Sequence, residues 1–387
     1  MRRLILLVVL ASMALAAGAE KRQTVAQLEQ AVSAASAAHK KDAEMARLIG
    51  GTELSERLSE ATLGRLEAHL GAGSKAALAL QLLADQSAFL DLPASELPAT
   101  AAADEAAQHW MLEAARNYVA QTLPRLPNFL ATRTINRYDD SPQVEKKGAW
   151  PVRAGLHRVD TTNREISVRD ERENQPPAQG SAVWKEQIGL ISGGEFGTTL
   201  GMILADSTKG SVTWSHWEQS AAGAIAVFHY AVPKSASHFE LIGTLQRQAA
   251  LAGVATRSGS RGTASIGVQQ SGVGSTNATI LRIRPGYHGS LWLDAASGTV
   301  LRITMEADTK DNPLFKRADM LVQYGPVEIG GSTFICPVRS LAFSLAASEG
   351  QDIAGDVPTE WLNETLFTGY HRFAATTRIL SDTPAPQ

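Results

Sequence analysis

Histidines and aromatic residues concentrated in one part of the chain are the side chains that could support chemistry or ligand binding. His216, His229 and His238 lie close together in the sequence, and imidazole is a common ligand of transition metals. A zinc site also needs further cysteine, histidine or carboxylate ligands at suitable spacing, and none completes the set here. The sequence therefore predicts no metal ion and no cofactor.

Aromatic side chains near these histidines indicate a second kind of site, an apolar ligand cavity. Alternation along a strand places Trp214 and Trp217 on opposite faces. The same rule places Phe228 and Tyr230 on one face. With two aromatic residues from later strands, the candidates for lining such a cavity are Trp214, Trp217, Phe228, Tyr230, Trp292 and Phe343. The alternative is an ordinary hydrophobic core, because aromatic residues dominate cores generally.

Familiar catalytic motifs are absent from the sequence. The segment around Ser265 is similar to a nucleophile elbow, but that motif needs glycine two residues before the serine, where this chain has Thr263. The glycines of 193–197 lack the Lys-Ser/Thr pair of a phosphate-binding loop and are expected to form a turn before a short helix. We therefore expect a protein that is not an enzyme, with an enzyme of unfamiliar site as the alternative.

The first residues have the layout of a secretory signal peptide. Arg2 and Arg3 precede an apolar stretch that ends in Ala17-Gly18-Ala19. This stretch is short for a membrane span, which needs about 20 residues, although a retained anchor is the alternative. We expect cleavage near Ala19 and a periplasmic or secreted location, with no transmembrane segment after cleavage.

Composition narrows the functional classes further. The net charge of −3 argues against a nucleic-acid partner, which would require a basic surface. The single cysteine, Cys336, excludes an intramolecular disulfide, and its apolar neighbours indicate a buried, inert thiol.

Residues 20–98 are rich in alanine, leucine and glutamate, and predict a small helical domain. Thr24 and Gln27 have the spacing of a capping box before the first helix. A second helix is expected over 41–49, a third opening at Thr52, and a fourth capped by Ser74. A Pro/Ala-rich linker follows over 93–103.

Residues 99–385 predict a second domain dominated by strands. One helix, Asp104 to Gln121, precedes a succession of strands with turn residues between them, which is typical of an antiparallel sheet or open barrel. A short helix over 198–204 and two glycine-rich loops, at 252–278 and 348–358, interrupt the strands. The predicted class is α+β: an N-terminal helical segment, then an antiparallel open half-barrel packed with helices.

Two segments of the strand region resemble a known superfamily. In 289–303 a strand leads to Asp294, a glycine turn and a strand with Arg302, and 322–337 continues with a Gly-Gly turn and a proline after a strand. This pattern resembles the LolA/LolB-like and RseB-like periplasmic proteins, which include the outer-membrane lipoprotein-sorting proteins. The resemblance implies a helix preceding an open antiparallel half-barrel with an apolar concave face.

The whole chain also resembles a family of exported proteins from soil acidobacteria, through segments 126–133, 194–197 and 370–373. That resemblance implies no particular activity. The half-barrel resemblance implies a non-enzymatic periplasmic binding protein that holds a lipid, an acyl chain or a lipoprotein segment on the concave face. The alternative is an envelope interaction or scaffold module that docks a protein partner through residues 20–98.

Overall fold

The computed structural model describes residues 22–141, 155–169, 172–174, 190, 193–246, 278–310, 315–346 and 359–372. The expected signal peptide, the segment around Ser265, the loop at 348–358 and a predicted strand at 183–188 lie outside these ranges. The chain divides into two compact units, the first comprising 1–101 with 140–157 and 217–219, and the second the remainder. Within the described ranges, no helix combines the length and the apolar content that crossing a membrane requires.

The first unit contains four helices: α1 Val25–Ala37, α2 Asp42–Gly50, α3 Glu60–Glu67 and α4 Lys75–Ser87. The predicted capping box is confirmed at α1. The Thr24 hydroxyl accepts a hydrogen bond from the Gln27 backbone N–H, and the Gln27 side chain accepts one from the Thr24 N–H. The buried residues of α1 recur at helical spacing and form the stripe Val25, Leu28, Val32 and Ala35.

The predicted start of the third helix at Thr52 is wrong. The helix begins at Glu60, behind Ser59, whose hydroxyl accepts a hydrogen bond from the Thr62 N–H at 3.1 Å. The Thr52 hydroxyl instead donates a hydrogen bond to the Leu48 carbonyl at 2.9 Å, and Leu54 forms a parallel β-bridge with Gln23. Because a local side-chain bond and a non-local bridge satisfy this segment, it has no need of helical hydrogen bonds.

A single apolar cluster joins the four helices. It contains leucines and other aliphatic residues from every helix and from the segment before α3: Val25, Leu28, Val32, Ala35, Met45, Ile49, Leu54, Leu58, Leu66, Ala76, Leu80 and Leu83. At its margin, the Asp42 carboxylate of α2 accepts the backbone N–H groups of Lys75 and Ala76 at 3.1 and 2.9 Å. A side chain of α2 therefore caps α4.

The second unit begins with helix α5, Glu105–Thr122, and contains a short helix α6, Thr198–Asp206. Both helices were predicted within two residues at each end. The strands are β1 Phe129–Asp139, β2 His157–Arg169, β3 Arg172–Asn174, β4 Ser211–Ser220, β5 Gly223–Val232, β6 Leu241–Gln246, β7 Ala278–Ile283, β8 Tyr287–Asp294, β9 Val300–Ala307, β10 Phe315–Ile329, β11 Ser332–Ala346 and β12 Thr359–Arg372.

Ten of these strands form one open sheet in the order β3-β2-β1-β12-β11-β10-β9-β8-β5-β4, while β6 and β7 pair separately. The central pairs from β1 through β12 to β5 are antiparallel. The α+β class with an open antiparallel sheet is thereby confirmed. β10 and β11 run for 15 residues each, and bulges within the pair accommodate its irregularities.

Helix α6 covers one face of the sheet, which we call the α6 face. Successive cross-strand partners Phe228, Leu291, Ile303, Val322 and Ser340 share this face across five strands. All five are buried. The opposite face carries the alternate residues of the same strands.

Candidate functional site

Four of the six predicted cavity residues are buried, but they are divided between the two faces. Phe228 and Tyr230 lie on the α6 face and share it, as predicted. Trp292 pairs with Val227 and therefore lies on the opposite face. Phe343, which pairs with Asp319, lies on that opposite face as well. These four side chains do not line one surface.

The two tryptophans of β4 are half-buried. The ring of Trp214 meets that of Phe228 edge-on, with ring centroids 5.3 Å apart. Trp217 belongs to the first unit, where its indole N–H donates to the Ala101 carbonyl at 2.8 Å. Each ring therefore has a specific packing or hydrogen-bonding contact.

Guanidinium groups cover the aromatic rings of the opposite face. Arg302 lies over Trp292 at 4.5 Å from the ring centroid, and Arg317 lies over Phe343 at 4.1 Å. Arg317 also forms an ion pair with Asp319, whose pKa is raised by burial. These rings form part of a mixed polar and aromatic layer, which differs from the bare apolar wall that a lipid would need.

A groove of about 440 Å³ lies beside α6. Three of its residues are small or apolar and three are ionisable: Gly201, Met202, Ala205, Asp206, Lys209 and His238. The apolar residues come from consecutive turns of α6, and the ionisable residues come from its C-terminal end and from the segment before β6. The groove therefore has an apolar wall and a polar end.

Asp206 organises the polar end of the groove. Its carboxylate accepts hydrogen bonds from His238 Nδ1 at 2.6 Å, from the His238 backbone N–H at 2.9 Å and from the Tyr287 hydroxyl at 2.9 Å. Burial acts to raise the pKa of Asp206, but the hydrogen bonds from His238 and Tyr287 outweigh it, so that the pKa lies below its ordinary value. The carboxylate is thus ionised and fixes the orientation of the His238 ring.

The imidazole of His238 remains accessible, with its side chain 68% exposed, whereas Asp206 is 2% exposed. Because Nδ1 faces Asp206, Nε2 is the nitrogen that can meet a ligand. Lys209 contributes a positive charge to the same groove. The Asp206 carboxylate is buried against His238 and Tyr287, which leaves the Lys209 ammonium as the exposed charge beside the apolar wall. This combination suits a ligand with an anionic head and an apolar tail.

The other two histidines meet through a serine that the sequence did not single out. Ser215 Oγ lies 2.7 Å from His216 Nδ1 and 2.9 Å from His229 Nε2. His229 Nδ1 in turn lies 2.8 Å from Ser290 Oγ. His216 and His229 therefore both contact Ser215 Oγ, whereas His238 lies apart from them in the α6 groove. The described residues contain no cluster of three metal-binding side chains.

A buried charge network lies on the α6 face, away from the groove. Arg133 Nη2 lies 3.2 Å from Glu195 Oε1, and Arg133 Nη1 lies 3.0 Å from Glu173 Oε1. Ser340 Oγ lies 3.3 Å from the same oxygen of Glu195. The glycines flanking Glu195 form a turn before α6, as predicted, with φ of +76° at Gly194 and +125° at Gly197. This network fixes the turn to the sheet.

Comparison of the chain with protein-family models, with curated proteins and with solved structures found no match.

Proposed function

We propose that this chain is a binding protein of the bacterial envelope that holds an amphipathic ligand with an acyl chain and an anionic head. The observation that carries the proposal is the groove beside α6, where an apolar wall of Met202 and Ala205 adjoins Lys209 and His238. Its volume of about 440 Å³ falls within the range of roughly 300–1,000 Å³ that is usual for small-molecule sites.

The chemistry of each end of the groove defines the ligand. Apolar surface of an acyl chain gains free energy on leaving water, and contact with Met202, Ala205 and the Cα of Gly201 provides such an environment. A carboxylate or phosphate at the polar end would be paired with the Lys209 ammonium and would lie beside His238. Binding in this groove requires no covalent step.

The proposal places the ligand beside α6, in preference to the bare concave sheet. On the α6 face, Phe228 and Tyr230 are already buried, and on the opposite face Arg302 and Arg317 cover the aromatic rings. In this proposal the sheet is a LolA-like half-barrel that serves as a scaffold and positions α6 and the segment carrying His238.

Titration of the delipidated protein with a dansyl-labelled fatty acid tests the proposal. We expect saturable binding that Lys209→Glu weakens by charge repulsion and that Ala205→Trp weakens by filling the groove. Lys316→Glu, which reverses an exposed charge at the start of β10, is the matched control and should leave binding unchanged. No saturable binding by the wild type, or equal binding by all three variants, would overturn the proposal.

The envelope location is tested separately. Expression of the full chain in a Gram-negative host should give a periplasmic product whose mass corresponds to cleavage near Ala19. An uncleaved product that stays in the cytoplasm would contradict this part of the proposal.

A further inference from the structure

We propose that Ser215 is a nucleophile, with His229 as its general base and Ser290 as the residue that orients the base. The reaction class is acyl transfer from an ester or thioester, ending in hydrolysis. This activity goes beyond ligand binding and uses a site that shares no residue with the groove beside α6.

The arrangement has the geometry that an activated serine requires. The nucleophile lies within hydrogen-bonding distance of the base, at 2.9 Å, and the base lies 2.8 Å from a third group on its far nitrogen. The three side chains stand on β4, β5 and β8, which are consecutive in the sheet order. His229 and Ser290 are direct cross-strand partners, so the sheet itself fixes their separation.

Accessibility also favours this role for Ser215. Ser290, the orienting residue, is buried at 8% exposure, whereas Ser215 and His229 are half-buried. β4 is the last strand of this sheet among the residues that the structure describes, and Ser215 on it is partly exposed.

One arrangement of protons in the hydrogen-bond network suits proton transfer from Ser215 to His229. A serine hydroxyl has one proton, so if His216 donates from Nδ1 to Ser215 Oγ, the Ser215 proton is directed at His229 Nε2. His229 then carries its own proton on Nδ1 and donates it to Ser290 Oγ. The backbone of Ser290 is held by a hydrogen bond from its N–H to Thr304 Oγ1 at 2.9 Å.

Ser215 Oγ forms a bond to the carbonyl carbon while its proton passes to His229 Nε2. The tetrahedral intermediate collapses, the bond to the leaving group breaks, and the leaving alkoxide or thiolate takes that proton. Water then attacks the acyl-serine, gives its proton to His229, and releases the carboxylic acid as Ser215 regains its hydrogen. No oxidant, reductant or metal is needed.

Buried side chains adjoin the relay on its own face of the sheet. Val227 and Trp292 are the next residues on the same face, two positions from His229 and Ser290 along their strands. Both are buried. The guanidinium of Arg302 lies over the Trp292 ring, so this side of the relay is packed.

Covalent labelling with a fluorophosphonate probe tests the proposal without knowledge of the substrate. Attack by Ser215 on phosphorus would expel fluoride and leave a stable adduct, which intact mass and peptide mapping detect. We expect one adduct per chain on the wild type, located at Ser215, and none on Ser215→Ala. Ser211→Ala changes an exposed serine of the same strand and should label like the wild type.

The labelling rate of His229→Gln measures the contribution of the base. It should be lower than the wild-type rate by on the order of a hundredfold or more. Circular dichroism must show that each variant remains folded, and a heat-unfolded wild type should not label. The proposal is overturned if the folded wild type forms no adduct, if Ser215→Ala still labels, or if His229→Gln labels at the wild-type rate. The last result would mean that the contacts are only a polar ladder between strands.

Discussion

The carboxylate of Glu195 lies 3.2 Å from the guanidinium of Arg133, and both side chains are almost completely buried, at 0% and 4% exposure. Arg133 is on β1 and Glu195 is in the turn before α6, so the pair joins a loop to the sheet. Glu173 contacts the same guanidinium at 3.0 Å. Two carboxylates therefore share one buried positive charge.

Replacement of Glu195 by alanine should destabilise the protein strongly. Removal of one partner of a buried ion pair costs about 3–5 kcal/mol, and we expect the lower end because Glu173 still faces Arg133. Urea unfolding measures the change. Arg284→Ala, which breaks the exposed pair with Glu240, is the control and should cost at most about 1 kcal/mol. Equal losses of unfolding free energy in the two variants would contradict the claim that the buried pair stabilises the fold more than the exposed pair.

Gly298, in the turn between β8 and β9, should not tolerate alanine. Its φ is +71°, and a Cβ there would lie 2.5 Å from the Cβ of Ala114 on α5. Gly331 has a similar φ of +83° but open space around its Cα, so Gly331→Ala isolates the conformational cost of about 1 kcal/mol. We expect Gly298→Ala to cost roughly 1–3 kcal/mol more, from steric overlap. Thermal unfolding of both variants decides this, and equal midpoints would disprove the close contact.

Asp42 should stabilise the first unit by capping α4, at about 1 kcal/mol at neutral pH. The hydrogen bond from the Ala76 N–H is the main cause that lowers the pKa of Asp42. A group with a lowered pKa stabilises the fold above its ordinary pKa, and this contribution is lost as the pH falls through the lowered value. The difference in free energy of unfolding between wild type and Asp42→Ala should therefore be largest at pH 7 and should shrink below about pH 4.

Glu44 provides the matched control for Asp42, since it is exposed on the same helix. Glu44→Ala should change the unfolding midpoint little at either pH. A gap between wild type and Asp42→Ala that stays constant from pH 7 to pH 2 would contradict the capping role.

Cys336 should be unreactive in the folded protein. The residue is 1% exposed, and burial raises the pKa of its thiol to about 12. Because the thiolate is the reactive form, iodoacetamide at pH 8 should leave the native chain unmodified and alkylate it in guanidinium chloride. Intact mass distinguishes the two, and rapid alkylation under native conditions would show that this part of the sheet opens readily.

Local sequence patterns predicted the parts of the fold that local forces determine. The Thr24 box and the helix predicted over 104–121 are confirmed because each depends mainly on neighbouring residues. The third helix was placed too early because a bridge to Gln23 holds the preceding segment extended. That contact cannot be inferred from the segment itself.

The candidate sites were less predictable for the same reason. β5 and β8 are neighbours in the sheet although β6 and β7 lie between them in the sequence. Nothing near Ser290 in the sequence therefore indicates that it contacts His229. Asp206 and His238 likewise come together only when α6 lies on the sheet. Of the residues that form these two sites, the histidines were noted, while their serine and carboxylate partners were not.

The position of β1 between β2 and β12 has a consequence for how the protein reaches its native state. Asn136 and Glu364, which contact each other across this pair, are 228 residues apart. As the chain emerges from the ribosome, β1 can meet β2 early, but its other edge stays unpaired until residue 372 has appeared. Long-range pairing of this kind is slow, and a bare strand edge invites pairing with other chains. A holding chaperone should therefore raise the folding yield of this protein more than its stability would suggest.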